Sequence, residues 1–467
     1  MGDVALVTFP IAFIVILSEV CKTLRKILIF FLRFWENTYL CHLDNLINCC
    51  LMEEKHSQKG IGRIFLVIYA LFLPLLAVAQ SGDGTVDELV RMGFENVCWA
   101  ENEEERVYVL ENTAYRIDGI GIGKAIDLIQ EYGLPEDKPC RLIVLNNNVP
   151  MISLCCSAGG GKEITRHDWN VSYDLGDSWD LVKGVKRENS SLYKVDVLVY
   201  PSVGFKNVRL SVMYEFLINL SPAVEVSLWK GSKLSAQLIV PVFNQYGYLY
   251  DDVRPGMVTL SQKVRLPYNI FLTGTVGIFN NDRWGVDLKT EYFFKNERFS
   301  VDGRFSYTGW GRWGEWMLGE NVRPFKFGYD KNSMVFTGSI GGSYYMPKYN
   351  MQFSLHGERY LLGEYGVRFD MIRHFRYCSI GLYGMKVEDA GNDGINGGFR
   401  FQVNLPPYKY KRRGYVPRVQ MSRNMGVSYN AGNEFVYGKG FKAQASDNMS
   451  EASRFNPYFI KSELLKF

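Results

Sequence analysis

Residues Trp284 to Tyr307 read WGVDLKTEYFFKNERFSVDGRFSY. In the first half Trp284, Val286, Leu288, Tyr292 and Phe294 share one phase against Asp287, Lys289 and Glu291. In the second half Phe299, Val301, Phe305 and Tyr307 oppose Ser300, Asp302, Arg304 and Ser306. A period of two sends alternate side chains to opposite faces of a strand, so each half carries one apolar and one polar face.

The pattern extends outward in both directions. Upstream, VRLSVMYEFLINL sets Val208, Leu210, Val212, Tyr214, Phe216, Ile218 and Leu220 against Arg209, Ser211, Glu215 and Asn219. Downstream it returns in MQFSL from Met351, YGVRFDM from Tyr365 and FRFQVNL from Phe399. A soluble sandwich turns such apolar faces inward, whereas an outer-membrane barrel turns them to lipid and lines its lumen with the polar face. Soluble strands mostly run about 5–6 residues. The longer segments here reach the roughly 9–11 needed to cross a bilayer at a tilt, with aromatics near their ends. The expectation is a mainly β protein, a transmembrane antiparallel β-barrel of about 12–14 strands over 191–467. Its candidate lumen residues are Arg209, Glu215, Asp287, Lys289, Glu291, Asp302, Arg304, Arg368, Asp370 and Arg400.

Composition agrees with alternation. The 467 residues are 47% hydrophobic and 15% aromatic, with 45 glycines, yet mean hydropathy is only −0.10. That excludes a disordered chain and a polytopic helical membrane protein. A net charge of +4, from 53 basic against 49 acidic residues, excludes a nucleic-acid binder.

Ahead of the barrel lie three further segments. In 52–79, Lys55, Lys59 and Arg63 precede an apolar core from Ile64 to Leu76, and Ala77-Val78-Ala79 supplies small residues for cleavage. This reads as a signal peptide. Residues 1–51 are then an over-extended start or a membrane-associated leader. From 80 to 190 the pattern is mixed and predicts a small periplasmic α/β domain and linker. Thr85 caps a short helix, FENVCWAE and ERVYVLEN are extended, and 123–132 is helical up to Gly133. RLIVLNN and PMISLCC then read as strands, and 157–190 as loop. Export would leave five cysteines, Cys98, Cys140, Cys155, Cys156 and Cys378, in an oxidising compartment. No paired spacing appears, so buried free thiols are expected, with a Cys98–Cys140 bridge as the alternative.

The chain closes on FNPYFIKSELLKF. A terminal Phe467 ending an alternating strand is the mark read by the barrel assembly machinery. The match here is imperfect, since Phe459 and Leu465 share its phase but Lys461 and Glu463 interrupt it, and Tyr458, Ile460 and Leu464 take the opposite phase.

Chemical motifs are sparse. His167, His356 and His374 show no metal-ligand spacing, and no cofactor motif is complete. GIGIGK, from Gly119, lacks the Ser or Thr that a phosphate loop places after Lys124, and reads as a turn into a helix. A barrel lipid hydrolase would need Ser354 and His356 as nucleophile and base, with a third group to orient them. Trp310, Arg312, Trp313 and Trp316, in YTGWGRWGEW between strands, suit either sugar stacking or an interfacial belt. Lys409, Lys411, Arg412 and Arg413 form a basic patch, either a solvated turn or a contact for lipopolysaccharide phosphates or an acidic polymer.

Several stretches resemble the YjbH family: SPAVEVSLWKG (221–231), VRPGMVTLSQKVRLP (253–267), GIFNNDRWGVDL (277–288), YNAGNEFVYG (429–438) and the C-terminal segment. YVLENTAYR, GIGKAIDLI and IVLNNNVPMISL extend the resemblance through the α/β part. The chain looks like a Bacteroidetes-type member with one barrel and one small domain. The resemblance implies a bacterial outer-membrane protein, with no catalytic residues, that supports secretion or surface assembly of exopolysaccharide or capsule. Its implied partners are membrane lipid and lipopolysaccharide, the polysaccharide chain and periplasmic export components, with no nucleic acid. A general porin or nutrient channel is the alternative.

Overall fold

The computed structural model describes residues 84–157, 164–206, 215–247, 250–312, 326–327, 334–388, 394–431, 437–449, 451 and 453–465. The proposed signal peptide and leader, Arg209, Trp313, Trp316 and Phe467 lie outside them.

The N-terminal part is a small α/β layer. In chain order it holds α1 (Gly84–Met92), β1 (Glu95–Glu101), β2 (Arg106–Glu111), α2 (Asp118–Tyr132), β3 (Cys140–Asn146), β4 (Val149–Cys156), β5 (Asn170–Ser172) and α3 (Ser178–Val182). The strands pair in sequence order; β2 and β3 are parallel, with α2 as the crossover, and the other pairs are antiparallel. A strand covered on both faces reads as a continuous apolar run. Accordingly Tyr108 and Leu110 of β2 pack under Ile122, Ile126 and Ile129 of α2, while Val107 and Val109 pack on the other face with Val182 of α3. Residues 157–190, expected as loop, thus contribute β5 and α3, and Trp169 is fully buried.

The remaining strands are β6 (Val195–Lys206), β7 (Glu215–Val226), β8 (Ser232–Asn244), β9 (Arg254–Leu266), β10 (Ile270–Phe279), β11 (Arg283–Phe293) and β12 (Phe299–Arg312). They continue through β13 (Lys326–Phe327), β14 (Val335–Met346), β15 (Met351–Arg359), β16 (Tyr365–His374), β17 (Cys378–Val387), β18 (Ile395–Asn404), β19 (Arg418–Met421) and β20 (Asn424–Asn430). Fourteen of these form a nearly closed barrel-like sheet in the order β19-β6-β7 through β12-β14 to β18-β20, with β13 paired on β12. Its two ends are one run of chain, since only Ser422 and Arg423 separate β19 from β20. β19 pairs in parallel with β6, from Arg418↔Asp196 to Met421↔Val199, and β20 pairs antiparallel with β18. Counted as one stave, β19 and β20 make thirteen on that path. An up-and-down barrel with an odd number of staves must close on a parallel pair, which is what β6 and β19 form.

The apolar phase is the exposed one. Phe305 is 59% exposed, Ile340 70% and Leu355 56%, while Ser306 and Thr308 on the alternate phase are buried. The strand turns at one end meet the α/β layer. Gly231 donates its N–H to the Asn147 carbonyl at 2.9 Å, Arg265 reaches the Pro150 carbonyl at 3.1 Å, and Glu297 accepts the Tyr173 N–H at 3.1 Å.

The C-terminal segment is not a strand. Residues from Tyr437 onward fold back into the barrel as a strap. At the far end the Gly438 N–H bonds Glu364 at 2.8 Å and Phe441 stacks on Phe279 with centroids 5.1 Å apart. Midway Ser446 accepts from Lys233 at 3.2 Å, and at the α/β end Asn456 reaches the Glu297 carbonyl at 3.1 Å. The strap ends in helix α4 (Pro457–Leu464), whose Ile460 and Leu464 enter the apolar core of the α/β layer. Asn456 caps it by accepting from the N–H groups of Tyr458 and Phe459, and Pro457 takes the first helical position.

Candidate functional site

The barrel interior is the site that the polar phase builds. It falls into a far rim, a middle belt and a floor against the α/β layer.

At the rim, Trp310 lies inside β12 rather than between strands, directly opposite Arg283 of β11. The Arg283 guanidinium stands 5.5 Å from the Trp310 ring, which is 53% exposed. Arg312 is the last residue of β12, paired with Lys326 of β13. Glu215 opens β7 in the same phase as Asn219.

In the middle belt the sequence-selected charges pair with one another. Arg304 binds Asp287 at 2.6 Å, Asp287 also accepts from Ser306, and Arg304 lies 4.7 Å from the Phe441 ring of the strap. Asp302 holds His356 at 3.0 Å. Asp370 takes Arg368 at 2.7 Å and Arg400 at 3.6 Å. Ser354 bonds Ser343 at 2.9 Å and Gln352 at 3.3 Å, so the Ser354 and His356 of the hydrolase reading are engaged elsewhere. His374 instead contacts Ser379 at 2.8 Å and Ser453 of the strap at 3.0 Å, a buried anchor for that segment.

At the floor, Lys289 pairs with Glu291 at 3.0 Å, and Glu225 accepts from Tyr200 at 2.8 Å with Lys233 at 3.6 Å. A cavity of about 320 Å³ opens between these walls, the strap and the α/β layer. Asp118, at the start of α2, closes its edge by binding Arg423 at 2.6 Å and Arg454 at 2.8 Å. Burial alone would raise this carboxyl; the two guanidiniums outweigh it and hold it at about 2. Asp118, Arg423, Arg454 and the strap were absent from the sequence-based candidates, because their joining depends on a fold-back that no local pattern encodes.

Three of the sequence readings resolve here. The GIGIGK run is inside α2, and its glycines serve close packing: a Cβ on Gly119 would stand 2.1 Å from the Glu463 Cβ of α4. In the basic patch Lys409, Lys411 and Arg413 are exposed, as a solvated turn expects, and only Arg412 is drawn into ion pairs among the described residues. Arg412 binds Glu95 at 3.0 Å and Asp196 at 2.7 Å, and Lys409 stands 5.1 Å from the Tyr115 ring. Cys98 and Cys140 sit in cores on opposite faces of the α/β sheet, so a bridge between them is sterically excluded.

Together these features define a mainly β protein with a barrel-like sheet whose interior is occupied by its own C-terminal strap. In comparisons with known proteins, no family model matches the chain and no curated protein is detectably similar to it.

Proposed function

We propose that this is a bacterial outer-membrane barrel that supports secretion or surface assembly of an exopolysaccharide or capsule, with the strap keeping the lumen shut at rest. One observation carries the membrane placement: apolar side chains occupy the exposed phase of strand after strand, and charged ones the enclosed phase. A water-soluble barrel would bury the opposite set. The strap weighs against a general porin, whose lumen stays open to solutes. Polysaccharide as the cargo rests on the YjbH-like stretches and on the Trp310–Arg283 pair at the rim, an aromatic face beside a cation, suited to a sugar ring and its polar groups. The α/β layer would face the periplasm and dock export components there.

The test is a clean deletion, complemented from Met52. Loss of surface polysaccharide with unchanged small-solute uptake supports the reading; intact polysaccharide with impaired uptake replaces it with the porin.

A further inference from the structure

The lumen floor holds a cation that has no ion-pair partner among the described residues. Lys263 lies on the enclosed phase of β9 with Thr259 and Ser261. Among the described residues its ammonium makes no hydrogen bond and has no carboxylate within 4 Å; it stands 5.6 Å from the centroid of the Phe271 ring. The other cations of this cavity that border it are engaged: Lys233 with Glu225, Lys289 with Glu291, and Arg454 with Asp118. Register places Lys263 opposite Thr273, and Thr273 opposite Lys289. The three therefore form one rung across β9, β10 and β11, with a hydroxyl between two ammonium groups. The Glu291 and Glu451 carboxylates of the same cavity act on it only from beyond 4 Å, so an anion seated directly beside it still lowers the cost of enclosing the ammonium. Across the cavity, the Thr113 hydroxyl of the α/β layer is also buried and unpartnered.

We propose that this cavity binds an acidic sugar unit, its carboxylate on Lys263 and its hydroxyls on Thr273 and Ser261. A volume of about 320 Å³ accepts a small saccharide. The surroundings favour a carboxylate over a phosphate, because the rung offers a single uncommitted ammonium rather than a fork of free guanidinium donors. Neutral hydroxyl groups beside it match a polyol. The inference deepens the proposed function and rests on it for biological meaning: the polymer handled by this barrel carries uronic-acid-type residues.

The experiment is calorimetric titration of the purified full chain in detergent micelles with glucuronate, glucose and inorganic phosphate. Saturable glucuronate binding is expected, with affinity falling about tenfold or more in Lys263→Met, the effect of losing one charge-assisted hydrogen bond. Thr273→Val, which keeps every charge, should weaken glucuronate as well while leaving the melting temperature unchanged. Absence of glucuronate binding, or binding indifferent to both substitutions, overturns the proposal. Phosphate binding as tight as glucuronate, lost in Lys263→Met and indifferent to Thr273→Val, overturns the sugar assignment in favour of a simple anion site. The two readings fail separately: a deletion strain that keeps its polysaccharide sinks the export function, while Lys263-dependent glucuronate binding would still establish the site.

Discussion

The Asp118 carboxylate accepts a hydrogen bond from the Arg454 guanidinium at 2.8 Å, across 336 residues of sequence. Arg423, between β19 and β20, binds the same carboxylate at 2.6 Å. One nearly buried charge thus ties the α/β layer, the strap and the closing seam of the barrel. Asp118→Asn keeps the shape but leaves two enclosed guanidiniums short of a counter-charge. Breaking a buried pair by removing one partner costs about 3 kcal/mol or more. Urea unfolding of the variant in micelles should show that loss, whereas the exposed Asp180→Asn, at a surface pair with Lys183, should be nearly neutral.

The same carboxylate predicts an acid sensitivity. Its folded-state value of about 2 lies below the ordinary 3.8. A depressed acid contributes stability that is fully present above the unfolded value and disappears as pH falls through the folded one. About 2 kcal/mol should therefore be lost between roughly pH 4 and pH 2. An unfolding series over that window should show a slope attributable to this site in the native protein, and that component should vanish in Asp118→Asn.

Helix α4 anchors the strap through a glycine contact that has no slack. Gly119 donates its N–H to Glu463 at 2.9 Å, and any side chain at 119 collides with that residue. Gly119→Leu should lift α4, free the strap and increase both its proteolysis and the conductance of the barrel in planar bilayers. Gly184→Ala, with nothing within 4 Å of the added carbon, is the matched control and should change neither.

Cys140 and Cys156 face each other directly across β3 and β4, both buried on one face of the sheet. Burial pushes both thiols up, Cys156 to about 11, so they resist alkylation in the native state. Directly opposed positions of an antiparallel pair fall within disulfide reach. Peptide mapping after prolonged diamide treatment should find Cys140 joined to Cys156, with Cys98, on the opposite face, left unpaired.

Alternation made the barrel legible because a period of two is a local property, repeated wherever a strand separates a polar from an apolar space. That signal also located the charges of the middle belt, Asp287, Asp302, Arg304, Arg368, Asp370 and Arg400. The C-terminal segment misled because Phe459, Leu465 and Phe467 share a strand phase, while the stronger signal lay in Asn456-Pro457, a cap followed by the residue favoured at the first helical position. GIGIGK reads locally as a turn into a helix, and glycine in a helix interior carries a penalty of about 1 kcal/mol. The close approach of α4, which makes glycine necessary there, is a tertiary fact. Lys263 carried no signal either, since its importance is the absence of a partner that only the assembled lumen defines.

Phe305 separates the membrane reading from a soluble one. It is exposed on the outer phase of β12, beside Phe336 at 4.5 Å between centroids, while its neighbour Ser306 points inward to Asp287 at 2.5 Å. If the outer phase meets lipid, Phe305→Arg places a charge in hydrocarbon at a cost of about 2–4 kcal/mol near the bilayer midplane. Folding into lipid vesicles should then be weakened by that amount, and membrane-fraction yield should fall. If the outer phase meets water, the same substitution replaces an exposed aromatic by a soluble side chain and should leave stability within about 0.5 kcal/mol. The opposite signs expected for solubility in detergent-free buffer make the comparison decisive: an arginine at 305 that improves behaviour in water without loss of folding would remove the protein from the membrane.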